Sequence, residues 1–164
     1  MENREIVIKY HEYGIGEKLP KEDATLIDAA KEATKSSYSP YSEFKVGAAI
    51  FLDDGSIVTG SNQENSAYPS GLCAERVALF HAKSINPDSV INSIAITANT
   101  VRFDLNEPIT PCGACRQVIA ETEKRQNSRI RVIMTGDGCT TRIVDGIDNL
   151  LPFKFQEDKL KKTK

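Results

Sequence analysis

Residues 44–60 read FKVGAAIFLDDGSIVTG, the pattern of a β-hairpin. Residues 44–52 form an apolar, β-branched run, and strand character resumes at 57–59. Between the two runs lies Asp53-Asp54-Gly55, a strong turn signal. Before the hairpin, apolar residues recur at helical spacing, which predicts a helix over 21–37.

After the hairpin, helices and strands alternate along the sequence. We predict helices and strands in the order helix 73–82, strand 93–98, helix 113–125 and strand 130–134, with a loop over 101–110. The whole order is then αββαβαβ. Strands that alternate with helices after an initial hairpin predict an α/β fold, a three-layer α/β/α sandwich with a mixed central sheet. Alternation of Ile6, Ile8 and Tyr10 hints at one more short strand, ending near Gly14.

Length and charge limit the classes of partner. The 164 residues fit one domain, and a net charge of −2 provides no basic footprint for nucleic acid. No apolar run approaches the roughly 20 residues that span a bilayer, and the first residues lack the apolar core of a secretory signal. We therefore expect a cytoplasmic protein with a small-molecule substrate and neither a nucleic-acid nor a membrane partner.

Three cysteines have the spacing of a metal site. Cys112 and Cys115 span the first turn of one predicted helix, and Cys73 stands at the start of another. The partial positive charge of a helix N-terminus stabilises thiolates, which are the form that binds metal. Three thiolates leave a tetrahedral zinc with one open position, as in catalytic sites. Glu75 is placed to reach a water at that position and to move protons.

The Cys-x-x-Cys pair alone has other interpretations, because such pairs are often redox-active or part of a structural zinc knuckle. Its combination with an upstream Cys-x-Glu is more specific. Cys73-x-Glu75 together with Pro111-Cys112-x-x-Cys115 resembles the signature of zinc-dependent nucleobase deaminases.

The resemblance narrows to one family. Residues 73–76 (CAER) and 111–117 (PCGACRQ) are similar to the small, homotetrameric cytidine deaminases. Residues 38–49, 60–65, 68–69 and 150–152 match as well, so the likeness extends from about 24 to 155. It implies an N-terminal extension over 1–20, a cytidine deaminase-like catalytic domain over 21–155 and a charged tail over 156–164.

The resemblance also implies an activity. Members of this family deaminate cytidine and 2′-deoxycytidine hydrolytically to uridine and 2′-deoxyuridine, with release of ammonia, in pyrimidine salvage. The implied cofactor is one Zn²⁺ per subunit, held by the three cysteines, with Glu75 as the catalytic residue. The implied assembly is a homotetramer whose active sites are completed by neighbouring subunits.

The resemblance also assigns substrate contacts to individual residues of this sequence. Asn62 and Glu64 match residues that bind the ribose 3′-hydroxyl, and Phe44 matches one that packs on the nucleoside. The resemblance also implies that Ala74 offers backbone groups to the base, and that Phe155 stacks on the base in a neighbouring subunit. Without the family match, Asn62 and Glu64 would be ordinary polar loop residues and Phe44 a core aromatic.

Three thiolates and a hydroxide make a zinc centre anionic, so a nearby cation is expected. Arg76 and Arg116 each follow a site residue directly and are candidates to donate hydrogen bonds to the sulfurs. The resemblance favours Arg76. The alternative for either arginine is a surface ion pair.

Two other functions remain open on the sequence. One is deamination of a cytosine-containing antibiotic such as blasticidin S, which uses the same two motif halves. The other is a non-catalytic, zinc-stabilised nucleoside-binding module in which Glu75 is idle. The loop over 101–110 is expanded relative to the family, which leaves the breadth of substrates open.

Overall fold

The computed structural model describes residues 1–160 and contains one six-stranded sheet with three α-helices. The order is β1, α1, β2, β3, α2, β4, α3, β5, β6. The strands are β1 (His11–Tyr13), β2 (Lys45–Leu52), β3 (Ile57–Ser61), β4 (Ile91–Asn99), β5 (Arg131–Met134) and β6 (Thr141–Asp145). The helices are α1 (Lys21–Ala33), α2 (Ala74–Ile85) and α3 (Gly113–Gln126).

The sheet is mixed, as the sequence predicts. Its strands lie in the order β1-β6-β5-β4-β2-β3. The pair β4–β5 is parallel and the other neighbours are antiparallel. The hairpin formed by β2 and β3 is confirmed, with Ala49 opposite Thr59.

Alternating side chains of the strands build two apolar layers. In β2, Ala48 and Ile50 pack in the larger cluster with residues of α2 and α3, whereas Ala49 faces the cluster that contains Leu26 and Ile27 of α1. Period-two alternation of this kind places helices on both faces of a sheet. The predicted three-layer α/β/α sandwich is therefore confirmed.

Two strands differ from the prediction. β6 was not predicted, because it has only five residues and its apolar side chains Ile143 and Val144 are adjacent, facing opposite layers. The hint of a short extra strand ending near Gly14 is confirmed, but its start is wrong: the strand lies at His11–Tyr13, where it pairs with β6, and does not include Ile6 or Ile8. Ile6 and Ile8 are exposed, and Tyr13 is the residue of β1 that packs against the core.

Close backbone packing fixes α2 against the hairpin. Gly60 lies in β3, and a Cβ atom at this position would lie 2.5 Å from Ala78 N and 2.8 Å from Ala74 O. No side chain fits at that distance, so glycine lets β3 contact the first two turns of α2 directly. The N-terminus of α2 is thereby held at a fixed place on the sheet.

The C-terminal region follows β6 through short 3₁₀ turns. The predicted charged tail over 156–164 is described as far as residue 160 and includes the turn Asp158–Leu160; residues 161–164 lie outside the described residues. Within residues 1–160, no helix combines the length and apolar character needed to cross a membrane.

Candidate active site

Two helices begin next to each other in space, and each is preceded by a cysteine. Cys73 and Cys112 have extended backbone conformations and cap α2 and α3. Cys73 O accepts the first backbone bond of its helix from Arg76 N at 3.1 Å, and Cys112 O accepts from Arg116 N at 2.9 Å. Both cysteines therefore lie at the positive ends of helix dipoles.

The three predicted thiols converge. Cys73 Sγ lies 3.8 Å from Cys112 Sγ, and Cys112 Sγ lies 3.5 Å from Cys115 Sγ, with all three sulfurs within 4.8 Å of one another. A tetrahedral zinc with Zn–S bonds of about 2.3 Å holds its sulfurs about 3.8 Å apart. The cluster therefore fits one zinc ion with three thiolates and leaves a fourth position open.

The pKa values of two thiols in the cluster shift in opposite directions. A hydrogen bond from Cys115 lowers the pKa of Cys73 to about 5, and Arg76 adds to the effect. That shared proton, together with burial, raises the pKa of Cys115. Cys73 therefore carries negative charge before Cys115 does.

Glu75 is buried on the first turn of α2, with 4% of its surface exposed. Burial raises the pKa of its carboxyl group, and the negative charge of Cys73 acts in the same direction. A raised pKa brings a carboxyl group closer to the range in which it can both accept and return a proton near neutral pH. Glu75 lines the same cavity as Cys73 and Cys112.

Arg76 lies against the thiol cluster. Its Nη2 is 4.0 Å from Cys73 Sγ and 3.4 Å from Gly71 O. Burial acts to lower the pKa of Arg76, but its hydrogen bond to Cys73 and the charges of Cys73 and Cys115 raise it. Within residues 1–160 its buried Nε has no hydrogen-bond partner. Arg76 thus places a permanent positive charge beside the sulfurs.

Arg116 makes different contacts from those expected. Its guanidinium donates to Pro111 O at 2.7 Å, Leu150 O at 2.7 Å and Thr110 Oγ1 at 3.4 Å. These three oxygens occupy donors that the charge-compensating role would direct to sulfur. The bond to Leu150 O instead ties α3 to the segment that follows β6. Arg76 is therefore the better candidate to lie beside a metal bound by the three sulfurs.

A cavity of about 710 Å³ opens beside the cluster, within the range of ligand pockets. It brings together six of the predicted site residues: Phe44, Asn62, Glu64, Cys73, Glu75 and Cys112. The fold thus joins the start of β2, the loop after β3 and the N-termini of α2 and α3 around one space.

Asn62 is largely engaged in holding the cavity wall. Its Oδ1 accepts from Ser37 Oγ at 2.5 Å and from Val46 N at 2.8 Å, and its Nδ2 donates to Phe44 O at 2.9 Å. Among the residues that the structure describes, the second N–H of Nδ2 has no partner. That N–H is the group Asn62 can offer to a ligand.

Glu64 binds the turn that precedes Phe44. Its Oε2 accepts from Tyr41 N at 2.9 Å and Ser42 N at 3.2 Å, and its Oε1 accepts from the Ser42 hydroxyl. Burial acts to raise the pKa of Glu64, but the bonds from Ser42 and the two backbone amides lower it below its ordinary value. Glu64 is therefore an anion at the cavity wall at neutral pH.

Two predicted contacts do not line this cavity. Ala74 is fully buried at the start of α2. Phe155 is 70% exposed, and its backbone is held by the Gln117 amide, which donates to Phe155 O at 2.8 Å and accepts from Phe155 N at 3.1 Å. The Phe155 ring is thus presented outward from α3.

Sequence reasoning did not assign several side chains of the cavity. Tyr41 and Val46 belong to segments that match the family and flank Phe44, so the sequence offered a signal for them. Ile109 and Thr110 belong to the loop over 101–110, where the sequence offered none. All four line the cavity.

Comparisons with known proteins agree with the geometry. The family model for the cytidine and deoxycytidylate deaminase zinc-binding region matches residues 20–129. A cytidine deaminase of Sporosarcina psychrophila is 49% identical over 138 residues, which cover 82% of this chain and 92% of that protein. One from Halalkalibacterium halodurans is 49% identical over 96 residues, covering 58% of this chain and 68% of that protein.

A solved structure extends the likeness to the fold. The crystal structure of cytidine deaminase from Burkholderia pseudomallei is 40% identical, with a TM-score of 0.69, and covers 80% of this chain and 98% of that one. The family's zinc-binding region and the cluster of three thiols support one zinc ion per chain. The chain belongs to the cytidine and deoxycytidylate deaminase family.

Proposed function

We propose that this protein deaminates cytidine and 2′-deoxycytidine hydrolytically, yielding the uridine nucleosides and ammonia. The observation that carries the proposal is the buried carboxyl group of Glu75 in the same cavity as a three-thiol cluster of zinc-binding size. The similar proteins described above are cytidine deaminases, which supports the same activity.

The protein would supply both metal ligands and proton transfer. Cys73, Cys112 and Cys115 would hold the zinc, which when bound supplies a Lewis acid that makes a water molecule more acidic. Glu75 would accept a proton from the attacking water and deliver it to the ring nitrogen of cytosine. It would then take the second proton from the hydroxyl that has been added to the ring carbon and pass it to the amino group. The carbon–nitrogen bond would break, ammonia would leave and the carbonyl of the uridine product would form.

The polar groups of the cavity wall suit a free ribose 3′-hydroxyl. We propose that Asn62 and Glu64 bind the ribose 3′-hydroxyl, to which the second N–H of Asn62 can donate and from which the Glu64 carboxylate can accept. A phosphate on the 3′-oxygen would meet Glu64 with like charge. Phe44 would pack on the nucleoside, and the backbone of Ala74 would contact the base.

We further propose a homotetramer that acts in pyrimidine salvage. The support is the Phe155 ring, which is 70% exposed and whose backbone is held by Gln117. An exposed ring is what a contact with the cytosine bound in a neighbouring subunit would require. The catalytic domain would span 21–155, between an extension over 1–20 and a charged tail over 156–164. Sedimentation equilibrium tests the assembly: four chains per particle are expected, and a monomer that is fully active would contradict it.

Substrate comparison tests the proposed activity. Absorbance changes on mixing the zinc-loaded protein with cytidine, deoxycytidine, cytosine, CMP and blasticidin S would rank the substrates. We expect turnover of the two nucleosides, loss of turnover with a strong zinc chelator and recovery on adding zinc. Preference for blasticidin S would favour an antibiotic deaminase, and binding of cytidine without turnover would favour a non-catalytic module.

A further inference from the structure

The expanded loop after β4 reaches the wall of the cavity. Its Phe103 stacks on Phe44, with ring centroids 6.0 Å apart and an interplanar angle of 15°. Phe44 lines the cavity, whereas Phe103 does not line it and is 57% exposed. Phe103 therefore lies behind a cavity residue and contacts it ring to ring.

Contacts along the loop fix the position from which Phe103 acts. Next to the ring, Arg102 Nη1 donates to Ser42 O at 3.3 Å. Farther along, Leu105 O accepts from Cys139 Sγ at 3.2 Å, and Glu107 pairs with Arg142 of β6 at 2.5 Å. Ile109 N then donates to Thr135 O at 3.3 Å, and the loop ends on the cavity wall.

The backbone around Phe44 is held from the opposite direction. Asn62 binds Phe44 O, and the Ser42 hydroxyl accepts from Phe44 N at 3.0 Å while it donates to Glu64. These bonds fix the main chain but do not touch the ring. The stacked ring of Phe103 is the aromatic contact that restricts where the Phe44 ring points.

We propose that Phe103 is a positioning residue that holds the Phe44 ring against the cavity and thereby sets the affinity for the nucleoside. The inference rests on the proposed function, since it assigns the loop to the same substrate. A freed Phe44 ring would have to be ordered again when substrate binds, so the effect falls on binding rather than on proton transfer by Glu75.

Steady-state kinetics with cytidine test this assignment. For Phe103→Ala we expect KM to rise roughly 3- to 10-fold with kcat within about twofold of the wild type, the scale of losing one aromatic pair. Phe103→Tyr, which keeps the ring, should restore the wild-type KM. Phe103→Leu, which keeps apolar volume without a ring, should fall between the two. Val101→Ala is the matched control, because Val101 lies in the same loop and is 93% exposed.

The outcomes separate this assignment from a general effect of the loop. An unchanged KM in Phe103→Ala, an equal rise in Val101→Ala, or a loss of kcat with KM unchanged would each overturn it. If the wild type does not turn over cytidine, the proposed function fails by itself. Equilibrium dialysis of cytidine against the same zinc-loaded variants then tests Phe103 through Kd, with the same ranking expected and equal Kd values overturning it.

Discussion

Arg76 is the residue where charge and metal binding meet. It contributes the positive charge that stabilises Cys73 as a thiolate, and groups that orient or polarise metal ligands commonly change metal affinity or activity by about 10- to 100-fold. We expect Arg76→Gln to weaken zinc binding by an amount in that range and to lower kcat/KM with it. Competition against a chromogenic chelator measures the first effect.

A charge-conserving variant separates the effect of the positive charge of Arg76 from the effect of its guanidinium shape. Arg76→Lys keeps the charge but has a single ammonium group, so its zinc affinity should lie between those of the wild type and Arg76→Gln. Zinc affinity in Arg76→Gln equal to that of the wild type would show that the cluster does not depend on this cation.

At the scale of single residues, some positions in the site could be predicted from the sequence and others could not. The convergence of the three cysteines, and the place of Glu75 in the same cavity, could be predicted because metal sites depend on residue type and on spacing at helix starts. Arg116 could not, because its adjacency to Cys115 says nothing about which oxygens its long side chain reaches. Its contact with Leu150 depends on how a segment 34 residues away folds back.

At the scale of elements, the contact between β3 and α2 is the most sensitive. Gly60→Ala would place a methyl carbon within 3 Å of the α2 backbone, so β3 and α2 must separate. We expect a loss of about 1–3 kcal/mol in the free energy of unfolding, with a fall in activity because Cys73 and Glu75 move with the helix. Gly14→Ala is the control, since its Cβ would meet Glu17 Oε2 at 3.6 Å. Urea unfolding of both variants checks the expectation, which equal stabilities would contradict.

The end of α3 depends on one buried carboxylate. Glu123 Oε1 accepts from Ile130 N at 2.8 Å and Ile147 N at 3.0 Å, joining the helix to β5 and to the turn after β6. Glu123→Ala leaves two buried N–H groups without an acceptor and should lower the free energy of unfolding by about 2–4 kcal/mol. Glu123→Gln keeps an acceptor oxygen and should lose less, as urea titration would show.

The pH dependence of Glu123 has a definite sign. Burial raises its pKa in the folded protein despite the two backbone bonds, so protonation favours the folded state. That contribution is fully present below the ordinary glutamate pKa and is lost as pH rises through the folded value. The stability of the wild type relative to Glu123→Gln should therefore fall over the pH interval that begins at the ordinary glutamate pKa and extends above it. A relative stability that rises over this interval would mean that the hydrogen bonds outweigh burial.

Elements were predicted where their patterns are long. The β2–β3 hairpin and the three helices follow from periodicity and turn chemistry. The short strands β1 and β6 did not follow from the sequence, because they are defined by pairing rather than by a pattern of their own: β1 pairs with β6 at the sheet edge, and β6 lies between β1 and β5. Loop 101–110 gave no signal for its contact with Phe44, since that contact needs the tertiary path of the loop.

At the scale of the whole molecule, the zinc joins two helices that come from separate parts of the chain. Cys73 precedes α2, whereas Cys112 and Cys115 belong to the start of α3, 39 residues further on. A metal that binds the folded form stabilises it by mass action. Removing zinc with a strong chelator should lower Tm, and re-adding zinc should restore it.

The cysteine variants supply the control for this effect. Cys115→Ser, which removes the buried thiol of the cluster, should make Tm insensitive to chelator, whereas Cys139→Ser should respond like the wild type because Cys139 lies outside the cluster. A chelator effect that persists in Cys115→Ser would place the metal elsewhere.

The most direct test of the proposed chemistry is turnover by Glu75→Gln at full zinc occupancy. Glutamine keeps the size of the side chain but cannot carry protons between water, ring and amino group. We predict one zinc per chain by elemental analysis, cytidine binding close to that of the wild type, and a kcat for deamination lower by at least about 100-fold. Wild-type kcat in the zinc-loaded Glu75→Gln protein would contradict the assignment of Glu75 as the group that moves the protons.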